Sequence, residues 1–398
     1  MKKKAVKKKA VKKKAEKKKT VEPYVYLAGA GEIQVGDSKR AAQIAGWRGA
    51  HAGFYAGILC RIGVTGMCMR KCACEIGSAA PAALPIVIES GRMKILLLGK
   101  SGQIGRELQR ALAPLGEVIA AGRADADLTQ FDRLRKLVRA TAPDVLVNAA
   151  AYTAVDRAEA EPEQAQRVNA GAVQVMAEEM QRCGGWLVHY STDYVFDGTA
   201  NAPYRETDVV GPLNVYGSSK LAGEEAIRAS GCRHLIFRTS WVYSAHGSNF
   251  VKTLLQLTRE RTDIKVVSDQ TGAPTGADLI ADTTAAVIKR LRADENLAAR
   301  SAGTYHLTAG GATTWHEYAC LLVRTAAADG AGMRVSPEQL VPIPAAQYAA
   351  AAVRPANSRL DTAKLRAAFD LPLPHWQPGV LRLLAQLRSA QPDPQACR

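Results

Sequence analysis

The sequence predicts an α/β protein: a Rossmann-type doubly wound parallel sheet that begins near Met93, with a smaller C-terminal α/β region that binds substrate. Three observations carry that expectation. From Met93 onward, short unalternating apolar runs alternate with stretches of helical periodicity. A glycine-spaced turn joins the first run to the first helix, and the alternation weakens after Thr271.

The elements follow in order. Residues 94–98 are short and continuously apolar, as a central parallel strand is, because helices cover both faces of such a sheet. Helical spacing of apolar residues follows over 106–115, then a second strand at 117–121 and a helix at 131–140. A third strand is expected at 144–148, a long helix at 162–183 and a fourth strand at 186–191. A helix at 214–229, a strand at 234–238 and a helix at 250–260 complete the dinucleotide-binding region, placed at 93–270. Residues 271–398 read mainly as the substrate-binding cap, with a strand at 303–307 and helices near 314–327 and 361–369.

Residues 1–92 are different in kind. The chain has 398 residues and a formal net charge of +16, which invites a nucleic-acid reading. Residues 1–92 hold 19 Lys/Arg against 6 Asp/Glu, whereas 93–398 hold 34 against 31, so the basic surplus belongs to one segment. Residues 93–398 have no electrostatic reason to meet nucleic acid or a membrane surface. Residues 1–20 are a Lys/Ala/Val repeat whose like charges are too dense to fold alone, and 79–85 (AAPAALP) reads as a linker. The expectation for 1–92 is a disordered extension or a misannotated leader before a true start at Met93; a basic arm for nucleic acid or anionic lipid is the rival reading.

Cys60, Cys68, Cys72, Cys74, Cys183, Cys232, Cys320 and Cys397 are irregularly spaced, which suits reduced thiols in a cytoplasm. Cys68, Cys72 and Cys74 match a zinc spacing only loosely. No apolar run reaches the roughly 18 to 20 residues of a membrane span. No apolar stretch follows the early Lys run as a secretory signal requires.

The run Gly99, Lys100, Ser101, Gly102, Gln103, Ile104, Gly105 lies between the first strand and the first helix. G-x-x-G-x-x-G there lets the backbone approach a pyrophosphate, and the helix points free N–H groups at it; without those flanking elements it would read as an ordinary turn. At the end of the second strand an acid would hydrogen-bond a ribose 2′-hydroxyl, while Arg suits a 2′-phosphate. Arg123 therefore favours NADPH, with NADH an allowed alternative and a solvated surface Arg the plain one. Asp127 and Leu128 are placed to meet the adenine, and Ala151, Tyr152 and Thr153 follow the third strand where the chain passes close to the cofactor.

Tyr216 and Lys220 stand at i and i+4 near the start of a helix, so they share a face. Reducing a ketone needs a hydride on carbon and a proton on oxygen, and a tyrosine titrating near 10 is a poor acid or base at neutral pH without a cation beside it. Lys220 supplies that cation and a hydrogen bond to the nicotinamide ribose, and Thr192, just past the fourth strand, supplies a hydroxyl to orient the carbonyl. Tyr-x-x-x-Lys alone is common; the glycine loop, the Thr and the pair in this order are not.

Six segments extend the match: 148–156 (NAAAYTAVD), 189–196 (HYSTDYVF), 212–217 (PLNVYG), 238–243 (RTSWVY), 269–276 (DQTGAPTG) and 354–360 (RPANSRL). They resemble the extended short-chain dehydrogenase/reductase superfamily and, within it, the family of dTDP-4-dehydrorhamnose reductases, over residues 93 to about 380. The resemblance implies reduction of the C4 keto group of dTDP-4-dehydro-6-deoxy-L-mannose to give dTDP-L-rhamnose, with Tyr216 as proton donor. It implies that Gly102 to Gly105, Asp127, Leu128, Ala151 to Thr153, Tyr190, Tyr216 and Lys220 hold the cofactor, and that Thr192, Asp193 and Trp241 face the sugar nucleotide. Trp241 offers a flat apolar face for a deoxysugar, with a place in the core as its alternative. Arg354 and Arg359 offer charge for the diphosphate, with structural ion pairs as theirs.

The resemblance also allows magnesium at a homodimer contact, where Glu107 and Asp278 stand as candidate carboxylates. Two departures mark this chain: residues 1–92 have no counterpart, and Gly122 stands where some relatives place a ribose-binding acid. A nucleotide-sugar epimerase or dehydratase shares the cofactor loop and the Tyr/Lys pair but recycles its cofactor within each turnover. A non-catalytic regulatory subunit on the same fold, such as the one that binds methionine adenosyltransferase in animals, would not need the intact Thr192, Tyr216 and Lys220.

Overall fold

The structure is a computed structural model that describes residues 92–389. The expectations for the basic extension and for Cys68, Cys72 and Cys74 lie outside those residues.

β1 (Met93–Leu98) is buried at every position except Lys94, as its apolar run requires. The glycine turn leads into α1 (Gln103–Leu112), which begins three residues before the expected helix because Gln103 already lies in its first turn. β2 (Gly116–Ala121), α2 (Phe131–Thr141) and β3 (Val145–Asn148) follow closely on the expected positions. The helix expected over 162–183 is instead interrupted. After α3 (Val155–Ala160) come α4 (Pro162–Gln166), a wider π turn at Arg167–Gly171 and α5 (Ala172–Cys183). Single π turns inside helices collect at functional sites.

Next come β4 (Trp186–Thr192), α6 (Val215–Ser230), β5 (Arg233–Thr239) and β6 (Val242–Tyr243). α7 (Phe250–Glu260), β7 (Ile264–Val267), β8 (Thr271–Gly272) and β9 (Thr275–Gly276) lead to α8 (Ala277–Ala293) and α9 (Glu295–Arg300). β10 (Gly303–His306), β11 (Thr313–Thr314), α10 (Trp315–Ala328), β12 (Leu340–Ile343), α11 (Ala363–Phe369) and α12 (Trp376–Ser389) complete the described chain.

Six parallel strands make the central sheet in the order β2-β1-β3-β4-β5-β10. β1 pairs with β2 on one side, Leu98 opposite Ala121, and with β3 on the other, Leu98 opposite Asn148. The chain reverses direction across the sheet there, which opens a crevice at the carboxyl ends of β1 and β3 where such sheets bind ligands.

Alternate strand residues face opposite layers. Ile95 and Leu97 pack with Leu108 and Leu112 of α1 and Ile280 and Val287 of α8, whereas Leu96 and Leu98 pack with Leu134 of α2, Met176 of α5 and Ile227 of α6. A third cluster joins Phe250 and Leu254 of α7, Trp315 and Tyr318 of α10, and Trp376 and Val380 of α12.

The strand expected at 303–307 in the cap is β10, the sixth strand of the main sheet, paired with β5 through Tyr305 opposite Phe237. The fading of the alternation after Thr271 hides α8, whose Ile280, Val287 and Leu291 are buried against the layer of α1.

Candidate active site

The cleft begins at the end of β1. Gly99 has φ of +85°, and a Cβ there would come within 2.8 Å of the Ala149 backbone. A Cβ on Gly105 would overlap the Gly99 carbonyl oxygen, so only glycine lets α1 start this close to the strand end. α1 has no side-chain cap and no acid in its first turn. Its first N–H groups are thus left for an anion, and Gly102 with φ of −72° leads into them.

A cleft of about 1040 Å³ opens over this turn. Gly99, Gly102, Gln103 and Ile104 line it, while Gly105 does not and acts on the turn from beneath. Arg123, Asp127 and Leu128 line the side beyond β2. Arg123 is exposed there; Asp127 accepts the Thr129 N–H at 2.9 Å and hydroxyl at 2.8 Å, which holds its carboxyl below the usual range. Asp125 pairs with Lys100 at 2.8 Å beside them.

Ala151, Tyr152 and Thr153 line the opposite side after β3. Asn169, in the π turn, fixes that segment: its Oδ1 accepts the Tyr152 N–H at 2.9 Å, and its Nδ2 donates to the Tyr152 carbonyl at 3.0 Å and to Ser219 Oγ of α6 at 2.9 Å. The irregular backbone thus joins a cleft wall to the helix that carries Tyr216.

α6 starts beside the cleft because Asn214 caps it, its side chain accepting the Gly217 N–H at 2.7 Å. Gly217 is needed next, since a Cβ there would overlap the Tyr194 carbonyl oxygen. Deeper along α6, Glu224 is buried with a two-pronged pair to Arg238 of β5 at 2.9 and 2.6 Å, which seats the helix on the sheet. Tyr216 and Lys220 both reach the cleft. Thr192, whose hydroxyl donates to Asp193 Oδ1 at 3.0 Å, lines the same cleft. Burial raises the phenol above its ordinary value and the Asp193 charge adds to this, so Tyr216 carries its proton at neutral pH.

Lys220 is buried and donates to the Tyr190 carbonyl at 2.6 Å, with its Nζ 3.1 Å from His189 Nε2. Burial brings it down to about 8 despite the Glu224 carboxylate. Tyr190 borders the cleft, but its phenol stands 2.8 Å from the Thr284 hydroxyl in the core, so its polar contribution on the cleft side is the carbonyl that Lys220 uses.

Thr192, Asp193 and Trp241 line the other end. The Asp193 carboxyl is pushed up to about 6 by burial, against hydrogen bonds from Ser358 and Thr192. Its Oδ2 and the Thr239 and Ser240 hydroxyls are buried with no hydrogen-bond partner among the described residues, a polar floor suited to a hydroxylated ligand. Trp241 has φ of +48°, strained for a bulky residue by about 1–3 kcal/mol. Its indole stacks on Trp315 at 3.6 Å and 13°, and a Cβ on Gly272 would reach it at 2.5 Å.

Two residues expected to meet the diphosphate are not brought to the cleft. Arg354 is buried in a pair with Asp156 at 2.6 Å and donates to the Ala352 carbonyl at 2.9 Å. Arg359 donates to Asn357 Oδ1 at 2.8 Å and the Asn201 carbonyl at 2.7 Å, so both guanidiniums brace loops here. Glu107 faces Arg110 and Asp278 faces Arg382, and among the described residues no group of three His, Cys, Asp or Glu side chains is gathered for a metal.

Asn148, Asn169, His189, Thr239, Ser240 and Trp315 belong to the site although local sequence gives them no distinct signal. Asn148, His189, Thr239 and Ser240 each lie within a quoted segment without being singled out; Trp315 reaches the cleft only through tertiary packing.

Residues 93–389 match the family model described as the RmlD substrate binding domain. The dTDP-4-dehydrorhamnose reductase of Salmonella typhimurium is 50% identical over 299 residues, covering 74% of this chain and 98% of its own length. The crystal structure of the Bacillus anthracis enzyme of that name, in complex with NADP, superposes with a TM-score of 0.65 at 32% identity, covering 74% of this chain and 99% of that one. A dTDP-glucose 4,6-dehydratase from Streptomyces venezuelae, with NAD bound, shares the fold at a TM-score of 0.60 and 19% identity, covering 75% and 98%. Among the described residues no helix is long and apolar enough to cross a membrane.

Proposed function

The chain belongs to the RmlD family of dTDP-4-dehydrorhamnose reductases, oxidoreductases of the extended short-chain dehydrogenase/reductase type, and from that premise we propose that it reduces the C4 ketone of dTDP-4-dehydro-6-deoxy-L-mannose with NADPH, Tyr216 giving the proton. The observation that carries this reading is the grouping of Tyr216, Lys220 and Thr192 at one cleft with an uncapped, glycine-led helix N-terminus. The cradle fits a dinucleotide: Gly99 and Gly105 leave the pyrophosphate its approach to the α1 N–H groups, and Arg123 stands where a 2′-phosphate would need a cation. When bound, the dihydronicotinamide supplies the hydride.

The chain's own residues do the rest. Thr192, at the same cleft, orients the substrate carbonyl toward Tyr216. Tyr216 is protonated in the free protein, the state a proton donor must have, and its Oη–H gives the proton to the oxygen left by hydride arrival. In its ammonium form Lys220, one turn along α6 from Tyr216, favours the phenolate that results and so lowers the barrier to its formation. Asp193, Ser240 and the Trp241 face hold the sugar, with hydroxyls on the polar floor and the deoxysugar ring on the indole. Beyond the residues that follow the sheet strands, Trp315 of α10 also reaches this cleft. We place the reaction in the cytoplasm.

Spectrophotometric assay of NADPH with dTDP-4-dehydrorhamnose tests the reading. One NADPH oxidised per substrate consumed supports it; substrate turnover with bulk NADPH unchanged would make the protein an epimerase or dehydratase.

A further inference from the structure

Behind Lys220 the structure holds two buried side chains, Asn148 and His189, that the reaction scheme does not use. Asn148, at the end of β3, is 1% exposed and its Nδ2 stands 3.1 Å from His189 Nδ1. His189, on β4, is also 1% exposed, and its Nε2 stands 3.1 Å from Lys220 Nζ. The direction of these bonds is fixed from the far end. Asn148 Oδ1 accepts the Ala150 N–H at 3.1 Å, so the amide presents its NH₂ group to the ring and His189 Nδ1 must accept. A neutral ring whose Nδ1 accepts carries its proton on Nε2, pointing at Lys220. Nζ can then complete the chain only as an acceptor, which an amine can be and an ammonium cannot.

We propose that His189 is a positioning residue for Lys220: clamped by Asn148 in the Nε2–H tautomer, it opposes the ammonium form and sets the pH at which Lys220 loses its proton. With Lys220 charged, one of the three bonds must be mismatched. The ring can turn its proton to Nδ1, against the Asn148 NH₂, or the amide can flip and leave the half-buried Ala150 N–H without its partner. The neutral amine satisfies all three and still donates to the Tyr190 carbonyl. His189 itself stays neutral, because burial and then the Lys220 charge keep its ring well below the usual range. Burial, against the Glu224 carboxylate, brings Lys220 to about 8, and the clamp acts in the same direction as burial.

Other charges around α6 do not replace this control. Glu224, one turn along, is matched by Arg238 and Arg228. Asp156 of α3 is matched by Arg354, and Glu159 accepts the Val215 N–H. Asp193, in the turn after β4, acts on Tyr216 rather than on Lys220, and Tyr194 is itself raised by burial and by Asp193.

This inference rests on the proposed role of Lys220, and its tests separate the two. ¹⁵N NMR of the full chain with labelled histidine, without cofactor, should show His189 with a bare Nδ1 and a protonated Nε2; the opposite tautomer overturns the proposal whatever the activity. In the reductase assay, His189→Leu removes the Nε2–H, and Asn148→Asp turns the ring so that Nε2 accepts from the ammonium. Both should move the alkaline limb of kcat/KM upward by about half to one pH unit, the size of one hydrogen bond. A limb that stays or moves down in a folded variant overturns the clamp. A Lys220→Met enzyme with the unaltered profile would instead remove the role of Lys220, leaving the tautomer result to stand alone.

Discussion

Replacing Glu224 with Gln tests whether the helix that carries Tyr216 and Lys220 is seated by a buried charge pair. Glu224 is fully buried and Arg238 is 3% exposed, with two contacts of 2.9 and 2.6 Å between them. Gln keeps the volume and one acceptor oxygen but leaves the guanidinium charge buried without a counter-ion. Removing one partner of such a pair costs about 3–5 kcal/mol, whereas replacing both by apolar side chains of similar volume is close to neutral. Urea unfolding should therefore show a loss of about 3 kcal/mol or more at pH 7 for Glu224→Gln with an unchanged slope, mostly recovered in Glu224→Leu/Arg238→Met.

The pH dependence follows from the sign of the shift. Burial raises the Glu224 carboxyl, but the hydrogen bond and charge of Arg238 outweigh it and leave the group below its ordinary 4.5. Its contribution is then present above that value and lost as pH falls through the folded one, so the gap between wild type and Glu224→Gln should narrow in acid. A loss under about 1 kcal/mol, or a gap that widens in acid, would refute the argument.

Three further outcomes are expected. Asp193, raised to about 6 against an ordinary 3.8, opposes folding once ionised, so Asp193→Asn should gain stability relative to wild type as pH rises from about 4 through 6, reaching about 2–3 kcal/mol by pH 8 in thermal melts; an equal difference at both ends would contradict this. Arg123→Gln should weaken NADPH binding about fivefold or more while leaving NADH nearly unchanged, read by fluorescence titration, and equal losses would remove the 2′-phosphate role. Trp315→Ala removes the partner stacked at 3.6 Å on Trp241 and should raise KM for the sugar nucleotide about three- to tenfold with NADPH affinity intact; a loss confined to NADPH binding would count against it.

The legible part of this protein is its first half. β1, β3, β4 and most of β5 appear as apolar runs because they are buried on both faces, while the edge strand β2 is only half-buried, and the glycine spacing is visible because backbone approach leaves no other residue a place at Gly99 and Gly105. Tyr216 and Lys220 are readable because four-residue spacing on a helix is a local fact. What sequence hides depends on distance. β10 looks like cap because nothing local says that residues 303–306 return to pair with β5, and the break at Arg167–Gly171 depends on Asn169 reaching both Tyr152 and Ser219. Arg354 reads as a diphosphate ligand by its charge, but its position against Asp156 is set by folding. His189 lies inside a motif yet carries no local signal of its own, because its role comes from partners on β3 and α6.

The central claim is that the Tyr216 hydroxyl delivers the proton at a site that binds its cofactor independently. Tyr216→Phe removes only that oxygen from a half-buried ring. In the NADPH oxidation assay the account expects kcat to fall about a hundredfold to ten-thousandfold, the range of a lost general acid, with NADPH affinity by fluorescence titration unchanged. A Tyr216→Phe enzyme that oxidises NADPH at the wild-type rate would contradict it.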